Sequence, residues 1–290
     1  MLESVISDQF SNDPNIAFKQ ISDLGYRYVE LHNIYNKTIE ECNDEEIDEL
    51  ILLLKKYNLK VSNIASTIFF MCPLKDEYQI SLFNDEFHAI NGGIETHLNY
   101  LKNACKIANR LNCSNIRIFP FRYPDNEDIT IAGSDDDICL IAIYIKQACD
   151  IAREYGITLC LENCPYSHTP KGAMTLKILK MCNCDNLKLL WDPANSYRAE
   201  VKQVPAQYLD LNLNDEFELV KDYIGHIHLK NYHYDPLQTK PFVHVSLNKG
   251  DIDYDYLIPK LRELNIPLSL EAEVNSEEEL IESCEYLKAV

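Results

Sequence analysis

Four strand-like segments in the second half of the chain each carry, at or near the last residue, a side chain that divalent metals bind. These side chains are Glu162 of ITLCLE, Asp192 of LKLLWD, His228 of IGHIHLK and Glu271 of PLSLE. In a strand, alternate side chains point to opposite faces. In all four segments one face is apolar and the other carries the metal-binding residue. This parity predicts that the apolar faces pack on outer helices while the four residues point inward.

The spacing of these residues predicts the fold. They are separated by 30, 36 and 43 residues, and each interval has room for one strand, one loop and one returning helix. Strands connected in this way form a (β/α)8 TIM barrel, whose functional residues lie at the carboxyl ends of the strands. The chain has 290 residues, which fits one such barrel with modest insertions. We therefore expect a single domain over residues 1–290.

The first half of the chain shows the same alternation of strand and helix. Strands are predicted near residues 2–7, 26–32, 59–65 and 115–121, and helices near 94–112 and 135–155. The first helix is predicted to open at Asp13 with Pro14 as its first residue, and Asn43 with Glu46 resembles a capping box for the second. Later helices are expected to start near Pro170, Asp215, Asp253 and Ser276. The longest connections follow strands three, four, six and seven, on the carboxyl side, where loops build a pocket.

A metal site competes with a simpler interpretation of these strand ends. A single acidic residue there is more often a helix N-cap or a solvated loop residue than a ligand. Here four consecutive strands end in this way, and all four residues lie on the same face of their strands, which favours the metal site. Two Glu, one Asp and one His suit Mn²⁺, Mg²⁺ or Co²⁺ and also accept Zn²⁺. His226 shares the inner face but lies one layer deeper than His228, so we expect it to support the site from the core.

Composition excludes several classes of protein. The chain has 27 Lys and Arg against 46 Asp and Glu, a formal net charge of −19, which disfavours nucleic acid as a partner. Its eleven cysteines are scattered, which fits free thiols in a reducing cytosol better than a disulfide framework. No segment is long enough to span a bilayer, and the N-terminus has no signal pattern. We expect a cytoplasmic protein with no membrane partner, and the sequence leaves a homo-oligomer open.

The motifs around the four candidate ligands are ENCPYSHTP, WDPAN, HIHLK, KGDIDY and LSLE. Together they resemble the sugar phosphate isomerase/epimerase superfamily, the xylose isomerase-like barrels, over essentially the whole chain. That superfamily includes ketose 3-epimerases, hydroxypyruvate isomerases, inosose dehydratases and the endonuclease IV-type AP endonucleases. The resemblance implies that Glu162, Asp192, His228 and Glu271 bind the metal, and that the two glutamates double as acid and base.

The chain departs from the superfamily's pattern at three positions. Many members carry His where this chain has Cys164 and Asn195, and Asp where it has Asn231. The AP endonucleases use additional His and Asp ligands to hold three zinc ions. The missing His at position 195, together with the acidic charge, therefore argues against that branch.

Further residues are predicted to shape a sugar pocket. The candidates for substrate contact are Lys230, Asn195, His168, Arg198 and His32, each of which is alternatively a rim or strand-end residue. Glu30 and Arg117 share the inner face and are expected to form an ion pair inside the barrel. Four phenylalanines fit either a water-excluding pocket wall or the core, and these are Phe69, Phe70, Phe119 and Phe121.

These residue types indicate proton transfer beside a carbonyl group. A Lewis acid would hold the carbonyl and hydroxyl oxygens as an enediolate forms, and Glu162 and Glu271 would act as base and acid from opposite faces. We therefore expect a metal-dependent isomerase or epimerase of a small sugar or sugar derivative. One alternative is a dehydratase of a sugar-derived ketone in which Lys230 or His168 expels a hydroxyl group. Another is a non-catalytic sugar-binding protein, against which the intact ligand set argues.

Overall fold

Eight parallel strands close into a barrel in the computed structural model, which describes residues 2–82, 87–128, 130 and 133–290. The strands are β1 (Glu3–Ile6), β2 (Tyr28–Leu31), β3 (Lys60–Ile64), β4 (Asn115–Ile118), β5 (Thr158–Glu162), β6 (Leu187–Trp191), β7 (Ile224–Leu229) and β8 (Leu268–Leu270). Each strand pairs with its neighbours in chain order, and β8 pairs with β1. The prediction of a single-domain (β/α)8 TIM barrel is confirmed.

The helices surround the barrel, except for one short helix at its rim. They are α1 (Pro14–Asp23), α2 (Asp44–Tyr57), α3 (Ile94–Arg110), α4 (Asp135–Glu154), α5 (Gly172–Cys182), α6 (Pro193–Tyr197), α7 (Leu213–Val220), α8 (Tyr254–Glu263) and α9 (Glu277–Ala289). Asp13 caps α1 by accepting a hydrogen bond from the backbone N–H of Asn15, and Asn43 with Glu46 forms the predicted capping box of α2.

The alternation along the strands separates an apolar outer face from a polar interior. Leu159, Leu161 and Trp191 are fully buried in the main hydrophobic core. Inside the barrel, Ser4 Oγ lies 2.6 Å from Ser269 Oγ and 2.9 Å from Ser62 Oγ. These serines form a hydrogen-bonded layer of small side chains inside the barrel, and Ser269 Oγ also lies 2.9 Å from His226 Nε2.

Loops on the carboxyl side contain structure that the periodicity of the sequence did not reveal. The connection after β7 folds into an antiparallel ribbon of Asn231–Tyr234 and Phe242–Val245. This ribbon brings the rings of Tyr232 and His244 together, with centroids 4.4 Å apart. The connection after β6 contains the short helix α6. Both elements form part of the wall above the barrel mouth.

All eleven cysteines are free thiols, as the sequence suggested, and most of them are buried. In the described part of the chain, none of the helices combines the length and the apolar character that a bilayer span requires.

Candidate metal centre and active site

The four residues singled out at the strand ends lie together at the carboxyl end of the barrel. Glu162 is the last residue of β5, Asp192 follows β6, His228 lies within β7, and Glu271 follows β8. One donor atom from each of them can be chosen so that all four atoms lie within 4.8 Å of one another. The barrel therefore brings the whole predicted set to one point.

Two atoms of this cluster have unused hydrogen-bonding capacity. His228 Nδ1 and Asp192 Oδ2 are buried and make no hydrogen bond to any described residue, although Lys230 Nζ lies 3.0 Å from the aspartate oxygen. His228 Nδ1 is 3.6 Å from Glu162 Oε1 and 3.5 Å from Glu271 Oε2. Buried polar atoms that converge without partners fit a bound cation. The residues present therefore fit the divalent ion predicted from the sequence.

The charges around the centre support the same conclusion. Four carboxylates converge there, those of Glu30, Glu162, Asp192 and Glu271, and the cations among them are Arg117 and Lys230. Among these side chains the carboxylates outnumber the arginine and lysine, an excess of negative charge that suits a divalent cation. Burial, opposed by Lys230 and reinforced by Glu162 and Glu271, raises the pKa of Asp192 to about 6.

The pKa of Glu271 is shifted in the opposite direction, downward, by its cationic neighbours. Burial alone would raise the pKa of this carboxyl, but Lys230, His228 and Arg117 keep it well below its usual range. Lys230 Nζ donates to Glu271 Oε2 at 2.6 Å, and Arg117 Nη1 donates to Glu271 Oε1 at 3.4 Å. Glu271 is therefore an ionised carboxylate with a cation on each of its two oxygens.

Glu30 supports the centre from the layer below. Its Oε1 lies 3.0 Å from His228 Nε2, and its Oε2 lies 2.7 Å from His226 Nε2. Asn63 Nδ2 donates to Glu30 Oε1 at 2.7 Å. When Glu30 accepts the Nε2–H of His228, the tautomer is fixed with Nδ1 free to bind a metal. His226 also lies 2.9 Å from Ser269 Oγ, so it belongs to this supporting layer, as expected.

The expected ion pair between Glu30 and Arg117 is wrong. Glu30 is already bound by two histidines, and Arg117 points to the layer above. There, Arg117 Nη1 donates to Glu162 Oε2 at 3.2 Å as well as to Glu271. Its other nitrogens donate to the backbone carbonyls of Ala65 and Ser66. The long arginine side chain thus reaches past its own layer and bridges the two glutamates predicted to act as acid and base.

Asn163 fixes the distance between the ends of β5 and β6. Its side-chain Oδ1 accepts from the backbone N–H of Asp192 at 2.9 Å, and its Nδ2 donates to the carbonyl oxygen of the same residue at 2.9 Å. Asp192 Oδ1 in turn accepts from the backbone N–H of Asn195 at 2.8 Å, which caps α6. Asp192 is therefore a helix N-cap through one oxygen and faces the centre with the other.

A pocket of about 310 Å³ opens onto this centre. Four of the predicted substrate contacts line it, namely Lys230, Asn195, Arg198 and His32. Asn195 Nδ2 donates to Glu162 Oε1 at 3.2 Å, and His32 Nδ1 lies 2.9 Å from Asp8 Oδ2. Phe70 and Phe119 form part of the wall, whereas Phe69 and Phe121 stack on each other in the core at 4.7 Å.

His168 lies elsewhere, which corrects its predicted role as a substrate contact. It is fully buried and is not among the residues that line the described pocket. Its ring packs against Tyr78 and Tyr123, and its Nδ1 is 3.6 Å from Asp137 Oδ2. The backbone N–H of His168 donates to the carbonyl of Phe121, which turns the side chain into the packing between loops. It is therefore not placed to expel a hydroxyl group from a substrate in this pocket.

Two aromatic residues of the pocket were missed by sequence reasoning. Tyr232 and His244 come from the ribbon after β7. The alternating polar and apolar residues of NYHY and FVHV are the signal that could have indicated a ribbon there.

Replacing Glu30 with Gln is expected to weaken metal binding about 10- to 100-fold, because carboxylates that orient a ligating histidine contribute on that scale. The measurement is the metal dissociation constant by competition with a fluorescent chelator. Glu40→Gln is the matched control, since Glu40 is equally buried but binds the Thr67 backbone and hydroxyl instead. Equal affinities of wild type and Glu30→Gln would contradict this positioning role.

His226→Ala is expected to destabilise the protein by about 3 kcal/mol while leaving metal stoichiometry intact, because it leaves the buried Glu30 carboxylate with one partner fewer. The free energy of unfolding in urea and the metal content measure the two effects. His233→Ala, at an exposed ribbon position, is the control for stability. An empty site in His226→Ala, with full occupancy in His228→Ala, would show that the deeper histidine is the ligand.

The sequence comparison identifies the family. A family model described as the xylose isomerase-like TIM barrel matches residues 18–290. The chain belongs to this family. No curated protein matches it at significant sequence similarity.

Several solved structures share this fold. The probable 3-DHS dehydratase AsbF from Bacillus anthracis is 18% identical, with a TM-score of 0.73 over 99% of both chains. The 3-keto-D-glucoside 4-epimerase YcjR from E. coli is 14% identical, with a TM-score of 0.69 over 100% of both chains. A xylose isomerase-like protein from Mycobacterium smegmatis in complex with magnesium is 18% identical, with a TM-score of 0.66 over 94% of this chain and 86% of that chain. At these identities the likeness extends to the fold alone.

Proposed function

We propose that the protein is a divalent-metal-dependent isomerase or epimerase of a small sugar or sugar derivative, acting by proton transfer beside a carbonyl group. One observation carries this proposal. Glu162 and Glu271, on strands three apart around the ring, each have one oxygen near His228 Nδ1 and the other near Arg117 Nη1. Two carboxylates that converge from different sides of a pocket suit removal and return of a proton.

Glu162, Asp192, His228 and Glu271 would hold the ion. Mn²⁺, Mg²⁺, Co²⁺ and Zn²⁺ all suit this mixed set of oxygen and nitrogen donors. When bound, the ion would act as a Lewis acid on the carbonyl oxygen of the substrate. The magnesium in the structure of the Mycobacterium smegmatis relative supports a divalent ion in this fold.

The proton would be moved by the two glutamates. One removes the proton from the carbon beside the carbonyl and the other returns a proton to that carbon or its neighbour. Arg117 lies between their outer oxygens, and together with Lys230 it favours the ionised form of Glu271, so this carboxylate is available as base when the substrate enters. Phe70 and Phe119 exclude water from one side of the pocket.

The remaining pocket residues would bind the substrate. Asn195 and Lys230 already contact the candidate ligands, and their polar groups lie where sugar hydroxyls would bind. Arg198 and His32 lie on the wall. A pocket of about 310 Å³ matches the lower end of the range for small-molecule sites, which suits a single sugar ring or open-chain ketose.

A dehydratase of a sugar-derived ketone is the second candidate. The supporting observation is the buried Lys230 ammonium, which lies within the pocket and could protonate a leaving hydroxyl group. The fold is also shared with a probable dehydratase. A purely sugar-binding role leaves the convergent carboxylates and Arg117 without a purpose.

The test is incubation of the metal-loaded protein with a panel of ketoses and sugar acids in deuterated water. We expect conversion of at least one ketose with deuterium at the carbon beside its carbonyl, measured by NMR and mass spectrometry, and loss of conversion after chelation. An unsaturated product that absorbs in the ultraviolet would show that the protein is a dehydratase and not an isomerase. Conversion that survives complete removal of metal would overturn both candidates.

A further inference from the structure

A larger cavity lies directly outside the pocket. It encloses about 1070 Å³ and is lined by loops after β4, β5 and β6 and by the ribbon after β7. We call it the outer chamber. Four residues line both the pocket and the outer chamber, and these are Pro165, Tyr166, Arg198 and His244. The two spaces therefore adjoin at these four residues.

Arg122, which lines the outer chamber, is a buried cation with unused donors. Only 6% of it is exposed, and its Nε and Nη1 make no hydrogen bond to any residue that the structure describes. Its carboxylate partner among the described residues is Asp125, whose Oδ1 lies 3.8 Å from Nη2, and that aspartate is half exposed and accepts from Ser81. An arginine is always charged, and burial without a full set of acceptors is unfavourable. This arrangement indicates a ligand that supplies the acceptors.

Arg198 adds a second positive charge, and it has no carboxylate partner among the described residues. It is largely buried, and its Nη1 and Nη2 donate to the hydroxyl groups of Tyr232 and Tyr166 at 3.0 and 2.9 Å. Both acceptors are uncharged. Arg122 and Arg198 lie over the same Tyr166 ring, with guanidinium carbons 5.4 and 5.1 Å from its centroid. Their fields therefore add at the junction of pocket and outer chamber.

Three other cations close to this junction are matched by acidic groups. Arg117 is bound to two glutamates, and Lys230 to Asp192 and Glu271. Lys202, on the wall of the outer chamber, pairs with Glu200 at 3.0 Å. Two guanidinium groups depart from this pattern in a chain with a net charge of −19. Arg122 is buried with its carboxylate partner 3.8 Å away, and Arg198 is partly buried with no carboxylate partner among the described residues.

The position of Arg122 is also fixed by the backbone. The backbone of Arg122 forms an isolated antiparallel β-bridge with that of Ser167. The backbone N–H of Tyr123 donates to the carbonyl of Tyr166 at 2.9 Å. The loops after β4 and β5 are thus joined where the guanidinium lies. A fixed planar guanidinium with free donors is suited to bind a carboxylate or phosphate through two parallel hydrogen bonds.

We propose that the substrate carries an anionic group, a carboxylate or a phosphate, which binds Arg122 in the outer chamber within the field of Arg198. The proposal rests on the proposed function for the sugar end of the substrate and adds the class of substrate. The carbonyl end lies at the metal centre, and the anionic end lies across the shared wall at Tyr166. Neutral ketoses that lack the anionic group leave Arg122 without its acceptors.

The test measures binding by isothermal titration calorimetry with D-fructose, D-fructose 6-phosphate, 5-keto-D-gluconate and inorganic phosphate. We expect the phosphorylated or the carboxylate probe to bind wild type about 10- to 100-fold tighter than D-fructose, since hydrogen bonds between charged groups contribute on that scale. Whichever of the two is tighter identifies the source of the anion. In Arg122→Met this preference should disappear. Lys202→Gln, the matched control in the same chamber, should stay within about twofold of wild type because Lys202 is exposed and paired.

Thermal unfolding separates binding from a structural role. Arg122→Met keeps the apolar stem and removes a poorly compensated charge, so its melting temperature should equal or exceed that of wild type. Arg122→Lys, which keeps the charge without the planar fork, should retain part of the preference. A lowered melting temperature in Arg122→Met, or an anion preference that persists in it, would overturn the anion site. If inorganic phosphate binds metal-free wild type and not Arg122→Met, the anion site is supported even if no ketose is converted. If D-fructose is converted and anionic probes bind no tighter, only the proposed function is supported.

Discussion

Glu162→Gln and Glu271→Gln are each expected to slow conversion of a ketose substrate by at least about 10²-fold, because glutamine cannot accept the proton that acid–base catalysis requires. Glutamine keeps the size of the side chain and one oxygen that can bind a metal, so metal should still bind. Steady-state rates together with the metal content of each variant measure the effect. Glu200→Gln, an exposed glutamate on the wall of the outer chamber, is the control.

Deuterium exchange in the same variants tests whether there are two bases. If Glu162 and Glu271 serve opposite faces, each variant should block full conversion in deuterated water. Substantial exchange that survives in one variant would indicate a single base. Conversion by the wild type without any deuterium uptake would replace proton transfer with a hydride shift.

Asp192→Asn and His228→Ala are expected to lower metal affinity by more than about 100-fold, because each removes a ligand, and removal of residues that merely orient ligands already costs 10- to 100-fold. Asparagine at position 192 keeps the N-cap of α6, since Asn caps helices as well as Asp does, so the change isolates the charge that faces the centre. Metal analysis by mass spectrometry and circular dichroism measure occupancy and folding. Full metal occupancy in both variants would contradict the proposed metal centre.

The sequence predicted the parts of the molecule that follow from short-range physics. The period of two in each strand determines which side chains face inward, so the convergence of Glu162, Asp192, His228 and Glu271 could be expected before the fold was known. Helix starts at Pro14 and at the Asn43 capping box are likewise local events, because the cap residues bind backbone groups three residues away or fewer.

Contacts made by long side chains and by loops could not be predicted in the same way. Arg117 was assigned to Glu30 because both share an inward face, yet its side chain spans a full layer and bridges Glu162 and Glu271 instead. His168 follows β5 at a short distance in sequence, but the turn of its loop places it in packing between loops. Strand parity carries no information about how far a side chain reaches or how a loop returns.

Asn163 gives the centre a rigidity that does not depend on an ion. Its amide group satisfies both backbone groups of Asp192 and thereby continues the β5–β6 pairing by one more rung with a side chain. The spacing of Glu162 and Asp192 is thus established when the barrel folds, and a divalent cation would find these two carboxylates already in place. Binding of a cation would then require little rearrangement of these side chains, so little conformational entropy would be lost on binding. Selectivity among divalent ions would then depend on how well the radius of each ion fits the preformed set of candidate ligands.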